Sequence, residues 1–295
     1  MNDAMEIPGR ATVTLRMRLR ALGAGVAIWV VAVAVSLLIP MREASAHANR
    51  NHYFQYNMYG RLGNGGGLAP ANRVINHKGF MEQNGHLPIG ISLQEVCRNP
   101  NDENSSQFGR VKSFLPQYQW EFFWLADTTT QNCQQYGIAV GSYGSATGGR
   151  LSLLLSPDAG EDRGVLCERS DLFGTIAACS THLTNNDNAD AAAQLNDALG
   201  KADDWFNNTS AAWRYFGGDF NIEPGEMSPP NVAYNNRIAA DPDKLDTWKV
   251  TPNPNLTRKI DYGVVSSVWA SGSSGTRWLT SESDHVLLEG HFIPK

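Results

Sequence analysis

Six short strings place a carboxylate, an amide or an imidazole at what reads as the end of a strand. They are Asn57 in YNMYG, Glu95 in ISLQEVC, His182 in STHLTN, Asp219 with Asn221 in GGDFNIEP, Asp261 in KIDYGVV, and Asp284 with His285 in SDHVLLEG. Carboxylates are the ligands that hard divalent cations prefer, and magnesium typically takes only one or two of them, leaving its other positions to water and phosphate oxygens. Imidazole moves protons near neutral pH, most readily when a carboxylate fixes its tautomer. Each residue alone has an ordinary explanation: Glu95 as a solvated acid, His182 as a hydrogen-bonded near-core ring, Asp219 as a loop cap. Together they make a set able to hold a cation, activate water and surround an oxyanion. In GGDFNIEP, strand alternation turns Asp219 and Asn221 to one face and sends Phe220 back into the core.

The elements that must gather these residues are mostly strands. HYFQYNM (52–58), IGISLQEV (89–96), QWEFFWLA, YGIAVGSY, RLSLLLS, RGVLCE, GTIAACSTHL, WRYFGGDF, KIDYGVV, TRWLTS and HVLLEGHF read as strand segments. Helices are expected over 71–83, 101–115 and 187–206, the last carrying Leu195, Leu199 and Trp205 at near-helical spacing. About ten strands with three or four helices do not alternate as a doubly wound parallel sheet requires, so two packed sheets covered by helices suit the pattern better. No internal repeat or domain linker is evident, and 223–255 reads as a long polar loop.

The chain has 295 residues, 42% of them hydrophobic, enough for a sizeable core. Residues 1–46 place Arg16, Arg18 and Arg20 before ALGAGVAIWVVAVAVSLLIP and end on Ala44-Ser45-Ala46. A basic start, an apolar run and a small-x-small site describe a secretory signal peptide, the alternative being an anchor retained in the membrane through residues 21–40. The expected product, 47–295, keeps 19 basic and 26 acidic residues, a net charge of −7. That balance excludes binding nucleic acid by bulk charge, so a phosphate-ester substrate would need a bound cation to offset the repulsion. Cys97, Cys133, Cys167 and Cys179 all lie in this part. Four cysteines allow three pairings; Cys167 with Cys179 across the turn-like SDLFG is preferred, leaving Cys97 with Cys133, and buried free thiols are the alternative. No cysteine or histidine spacing for zinc is apparent.

In this order, YNM, LQEV, THL, GGDFN, IDYGVV and SDHVLL, spread from residue 56 to 288, resemble the endonuclease/exonuclease/phosphatase superfamily. That group includes deoxyribonuclease I, repair exonucleases, neutral sphingomyelinases and inositol polyphosphate phosphatases. The resemblance implies an α+β fold, a four-layer α/β/β/α sandwich of two packed mixed sheets flanked by helices, with the site where strand ends meet. It gives Glu95 the role of holding Mg²⁺ (or Mn²⁺ or Ca²⁺), with Asn57 shaping the metal or phosphate pocket and Asp284 adding a second carboxylate. It makes His285 the general base, oriented by Asp261, and sets Asp219 and Asn221 around the nucleophile and phosphoryl oxygens. His182 is expected to contact the scissile phosphate and protonate the leaving oxygen. Two positions depart from the deoxyribonuclease pattern: Cys97 stands where an arginine is usual, and Gln134 and Gln135 stand where His182 would find an acidic partner. Arg98 is an alternative phosphate contact.

The glycine run 63–67 lacks the Lys-Ser/Thr ending of a phosphate-binding loop. Most of the eight tryptophans fall in strand-like runs and are expected in the core. The resulting expectation is a secreted, metal-dependent phosphodiesterase, foremost a nuclease acting on DNA or RNA. A phosphatase or a sphingomyelinase-like phospholipase acting on lipid or inositol phosphate is the alternative within the fold. An idle binding module or toxin subunit is the alternative outside catalysis. No protein partner follows from the sequence.

Overall fold

The computed structural model describes residues 51–60, 66–130, 132–155, 161–171, 175–209, 211, 213–226, 237–239, 246–249 and 255–295. The leader expected over 1–46 lies outside these residues, as do most of the Gly-rich 61–67 and most of 227–254. The chain divides into two units, Met1–Ser45 and Ala46–Lys295, and the described residues all belong to the second.

In chain order the elements are β1 (His52–Asn57), α1 (Ala69–Gln83), β2 (Pro88–Arg98), α2 (Gln107–Phe114), β3 (Tyr118–Thr130), β4 (Cys133–Tyr143), β5 (Ala146–Leu154), β6 (Gly164–Ser170), β7 (Ile176–His182) and α3 (Asn188–Thr209). They continue as β8 (Trp213–Asp219), β9 (Arg237–Ala239), β10 (Trp248–Lys249), β11 (Leu256–Arg258), β12 (Asp261–Ser266), β13 (Ala270–Trp278) and β14 (Leu287–Pro294). One six-stranded sheet has the order β13-β14-β1-β2-β4-β3, the other β5-β6-β7-β8-β12-β9, and β10 pairs with β11 as a separate ribbon. Both sheets are mixed, since β1–β2 and β7–β8 are parallel while their neighbours run antiparallel.

Period-two alternation assigns each side chain to a layer. In β1, Phe54 and Tyr56 pack outward on Val74 and Met81 of α1 and Phe108 and Val111 of α2. Tyr53, the residue before Phe54, faces inward with Ile138, Leu166, Ala178 and Tyr215. On the far side Phe216, Val264 and the cystine sulfurs of Cys167 and Cys179 meet Leu195, Leu199 and Phe206 of α3. The layers are therefore helix, sheet, sheet, helix. The middle layer is not wholly apolar: Gln94 Nε2 donates to Ser92 Oγ (2.8 Å) and Ser180 Oγ (3.0 Å), and Ser180 Oγ donates to the Leu93 carbonyl. A polar seam thus crosses the interior, held by these bonds although Gln94 Oε1 and both amide atoms of Gln55 have no hydrogen-bond partner.

Both preferred cysteine pairings are present, Cys97–Cys133 and Cys167–Cys179. The second joins directly opposed residues of β6 and β7. Three expectations shift. The helix expected over 101–115 is a 3-10 turn, Glu103–Ser105, followed by α2, because the Ser106 hydroxyl accepts from the Gly109 amide and starts a new helix there. The α1 helix begins two residues early, with a proline in its first turn, where the missing N–H costs no hydrogen bond. The polar 223–255 stretch contributes β9 and β10 rather than loop alone. Among the described residues, no helix is long and apolar enough to cross a membrane.

Tyr53 links the sheets: its hydroxyl donates to the Gly263 carbonyl of β12 (3.0 Å), and a Cβ added at Gly263 or Gly290 would collide with its ring. Gly263→Ala is expected to destabilise the fold by about 1–3 kcal/mol through overpacking. In urea unfolding this lowers the midpoint at unchanged slope; an unmoved midpoint would contradict the sheet contact.

Candidate active site

Strand register alone aligns three of the eight expected residues. Parallel pairing of β7 with β8 sets His182 opposite Asp219, and antiparallel pairing of β8 with β12 sets Asp219 opposite Asp261. His182, Asp219 and Asp261 thus form one row across the second sheet, and Gly164, opposite His182, carries Arg163 just outside β6. His285 reaches the row from the irregular stretch before β14. Its amide donates to Ser283 Oγ (3.1 Å), its carbonyl accepts from Thr280 Oγ1 (2.9 Å), and its Nδ1 lies 2.8 Å from Asp261 Oδ2. The other ring nitrogen, Nε2, faces Asp219 Oδ2 at 3.6 Å and Asp284 Oδ1 at 3.9 Å.

The first sheet supplies Asn57 and Glu95. Asn57 ends β1, and its Nδ2 donates to Glu95 Oε1 (3.2 Å) and Asp219 Oδ2 (3.0 Å), tying the sheets together. Glu95 sits at a register break between β2 and β4 with φ +54°, a left-handed conformation that turns its side chain into the cleft. Tyr59 (φ 47°) and Asn221 (φ 54°) share that conformation. All three line one cavity of about 370 Å³, with Tyr136, Glu161, Arg163, His182, Asp219, Trp248, Arg258, Asp284 and His285 among their neighbours. Non-glycine residues held at positive φ concentrate at functional sites.

Strand alternation does not explain Asn221. The β8 strand stops at Asp219, and Asn221 lies in a left-handed turn where its amide N–H donates to Asp219 Oδ1 (3.0 Å) and its Nδ2 to the Leu183 carbonyl (2.9 Å). Phe220 is buried as expected.

The charges decide what the cavity can hold. Glu95 Oε2 is buried with no hydrogen-bond partner, and burial, only partly relieved by His285 and Asn57, pushes the Glu95 carboxyl up. Glu161 and Asp284 add to its like-charge repulsion. An unshared oxygen among three acids fits a hard divalent cation, with Glu95 as first ligand and Asp284 beside it; Asp284 Oδ2 is oriented by Trp248 Nε1 (3.1 Å). Burial disfavours the charged His285 ring, yet Asp261 and Asp219 outweigh it and lift its pKa to about 10. Burial and the nearby Asp261 charge, against the pull of His285, lift Asp219 to about 7. His182 moves the other way: burial, Arg163 and His285 hold its pKa well below 6.5. Arg163 Nη1 lies 2.9 Å from both ring nitrogens, which requires an unprotonated acceptor, so His182 is a neutral imidazole.

Every expected site residue except Asp261 and Asn57 lines the cavity, and those two stand directly behind lining residues. Sequence reasoning missed Glu161, Arg163, Tyr136 and Trp248. The one available signal was the charged EDR triplet, Glu161–Arg163, immediately before a strand, with Arg163 almost fully buried. Gln134 is turned away to Asn101. Arg98 is bound to Glu103 (2.6 Å) over the Phe108 and Phe122 rings, outside the cavity; the arginines that line it are Arg163 and Arg258.

No family model matches the sequence, and no curated protein does. Solved structures do. A truncated TDP2 of Caenorhabditis elegans superposes with TM-score 0.58 at 16% identity over 82% of this chain and 96% of its own. An endonuclease/exonuclease/phosphatase of Beutenbergia cavernae gives 0.57 at 18%, over 82% and 71%. The catalytic domain of human Nocturnin, solved with bound sulfate, gives 0.54 at 15%, over 82% and 95%. At these identities the likeness establishes the fold, and it is the fold implied by the sequence strings.

A histidine whose folded pKa exceeds its ordinary 6.5 contributes stability that is complete below pH 6.5 and is lost as the pH climbs through about 10. Asp261→Asn removes the largest source of that rise. Followed by imidazole NMR, the His285 titration is expected to fall by about 1–3 units in the variant; an unmoved midpoint would show that Asp261 does not set it.

Proposed function

We propose that this chain is a metal-dependent phosphoric ester hydrolase of the endonuclease/exonuclease/phosphatase superfamily, cleaving phosphodiesters and foremost those of nucleic acids. The observation that carries the reading is the single cleft in which Glu95, with its unpartnered oxygen, faces the His285–Asp219–Asp261 group. Glu95 and Asp284 would hold Mg²⁺ or Mn²⁺. A bound cation supplies charge neutralisation and polarises a phosphoryl oxygen.

The protein's own residues do the rest. Water's oxygen forms the new bond to phosphorus, its proton passes to the His285–Asp219 pair, and the P–O bond to the leaving group breaks, the departing oxygen gaining a proton from solvent. Asp261 holds the His285 ring and stabilises its charged form. Because Asp219 and His285 interact so strongly, the acceptor's pKa belongs to the pair, and a pH–rate profile reports that macroscopic value. Asn221 lines the cleft beside Asp219 and keeps one amide hydrogen beyond its bond to the Leu183 carbonyl, where a positioned donor counts most as charge develops, while Asn57 spends its amide on Glu95 and Asp219 and holds those acids in place. Arg163 is the fixed cation for a phosphoryl oxygen, and a sulfate bound to the Nocturnin domain is a like-shaped oxyanion. His182 serves as a hydrogen-bonding neighbour of Arg163 rather than as an acid, since a neutral imidazole has no readily lost proton.

Trp248 and Tyr59 put aromatic rings in the lining of the cleft, and the stacking that aromatic rings give nucleobases favours a nucleic acid over a lipid or inositol phosphate. Two disulfides fit an exported protein, as the expected leader would require.

The test is hydrolysis of supercoiled DNA, single-stranded RNA, sphingomyelin and inositol phosphates with Mg²⁺ or Mn²⁺. Cleavage of DNA or RNA, abolished by EDTA, is expected. Loss of the base is expected to slow His285→Ala by about 10²–10⁴-fold, and Glu95→Gln is expected to fall with it, circular dichroism confirming that both variants fold. Cleavage of only the lipid or inositol substrates would overturn the nucleic-acid assignment, and activity that survives EDTA would overturn the metal requirement.

A further inference from the structure

A second titratable cluster lies at the opposite end of β1 from Asn57, five strand residues and so about 16 Å away. Of seven histidines in the chain, four gather there around one carboxylate: His52 opens β1, His77 lies in α1, His86 precedes β2, and His291 stands beside Glu289 on β14. Glu289 divides its oxygens. Oε2 accepts from Trp278 Nε1 (3.1 Å) and lies 3.4 Å from His77 Nε2. Oε1 instead faces His52 Nδ1 at 3.5 Å and His86 Nδ1 at 3.7 Å. Those separations exceed ordinary hydrogen bonds, and His52 Nδ1 has no partner although its side chain is only 7% exposed.

A tetrahedral ion bound at 2.0–2.1 Å keeps its ligand atoms about 3.3 Å apart. Two imidazole nitrogens and a carboxylate oxygen close to that spacing, all within 4.8 Å of one another, suit a borderline transition ion better than a proton network. The Trp278 hydrogen bond to Oε2 is the kind of outer-shell contact that orients a ligating carboxylate, and the His77 ring stands beside it. The His52 and His86 rings are stacked, with centroids 4.1 Å apart and planes 13° from parallel. An ion cannot lie in both ring planes at once, so binding turns the His86 ring; its side chain, 38% exposed, sits at the solvent edge and has the room.

We propose that His52, His86 and Glu289 form a binding site for one divalent transition ion, zinc foremost, separate from the catalytic cleft. Nitrogen-rich donors distinguish it from the all-oxygen Glu95–Asp284 site, which suits magnesium. Its ligands come from β1, the α1–β2 loop and β14, so an ion there pins three segments of the first sheet. The inference does not depend on the proposed hydrolysis.

The test uses the whole chain carrying Glu95→Gln and His285→Ala, which disables the cleft as a zinc site. Equilibrium dialysis is expected to retain one zinc per chain, and zinc is expected to raise the melting temperature. Cobalt in its place should give the visible absorption of a tetrahedral site. Adding His86→Ala, at the exposed edge where folding is not at stake, should weaken retention at least about tenfold, and Glu289→Gln should do the same. Zinc held equally well after His86→Ala, or no zinc retained by the parent, would overturn the proposal.

Discussion

Two carboxylates placed opposite each other in adjacent strands are the constraint on which the site depends. The pairing of β8 with β12 forces Asp219 and Asp261 together in a place from which water is largely excluded. Like charges so placed cannot both remain ionised without a compensating cation. His285 supplies one, held by Asp261 on one nitrogen and facing Asp219 with the other. The raised pKa values of His285 and Asp219 are two views of this arrangement, and so is the buried Asp261 Oδ1 that finds no partner. Any change in the β8–β12 register would dissolve the group, which makes the second sheet part of the chemistry.

The first sheet meets this group through one amide. Asn57 donates from a single nitrogen to Glu95 and Asp219, so the two acids are spaced by a neutral side chain. A charged residue in that position would add to the repulsion or quench it. Beneath the amide, the Gln94–Ser92–Ser180 bonds carry polar contact across the sandwich. The cleft is thus the open end of a polar seam that begins in the interior.

Much of this was legible in the chain. The strings that carry the family resemblance pointed to Glu95, Asp219, Asp261 and His285, which the fold brings together although only Asp219 closes a strand: Glu95 sits at a break within β2, Asp261 opens β12 and His285 precedes β14. The order of the strings implied the layers, and the disulfide across SDLFG followed from two flanking strands. What was not legible depends on backbone conformation and burial. Asn221 reaches the cleft through a left-handed turn, which strand periodicity does not encode. Nothing in the charged Glu161–Arg163 triplet signals that the fold buries Arg163 against His182. The helix at 101–115 was misread because a serine cap in mid-segment competes with uninterrupted helix propensity. The histidine cluster escaped notice because its members are spread from residue 52 to 291 without a recurring spacing.

Tyr59, Glu95 and Asn221 occupy a backbone region that costs an L-residue roughly 1–2 kcal/mol. Glycine would relieve that cost at each of the three and would remove, respectively, a ring at the cleft, the unshared acid and an amide beside Asp219. Glycine here would therefore ease the backbone while hollowing out the mouth of the cleft. Backbone comfort and the lining of the cavity are set against each other residue by residue at these three points.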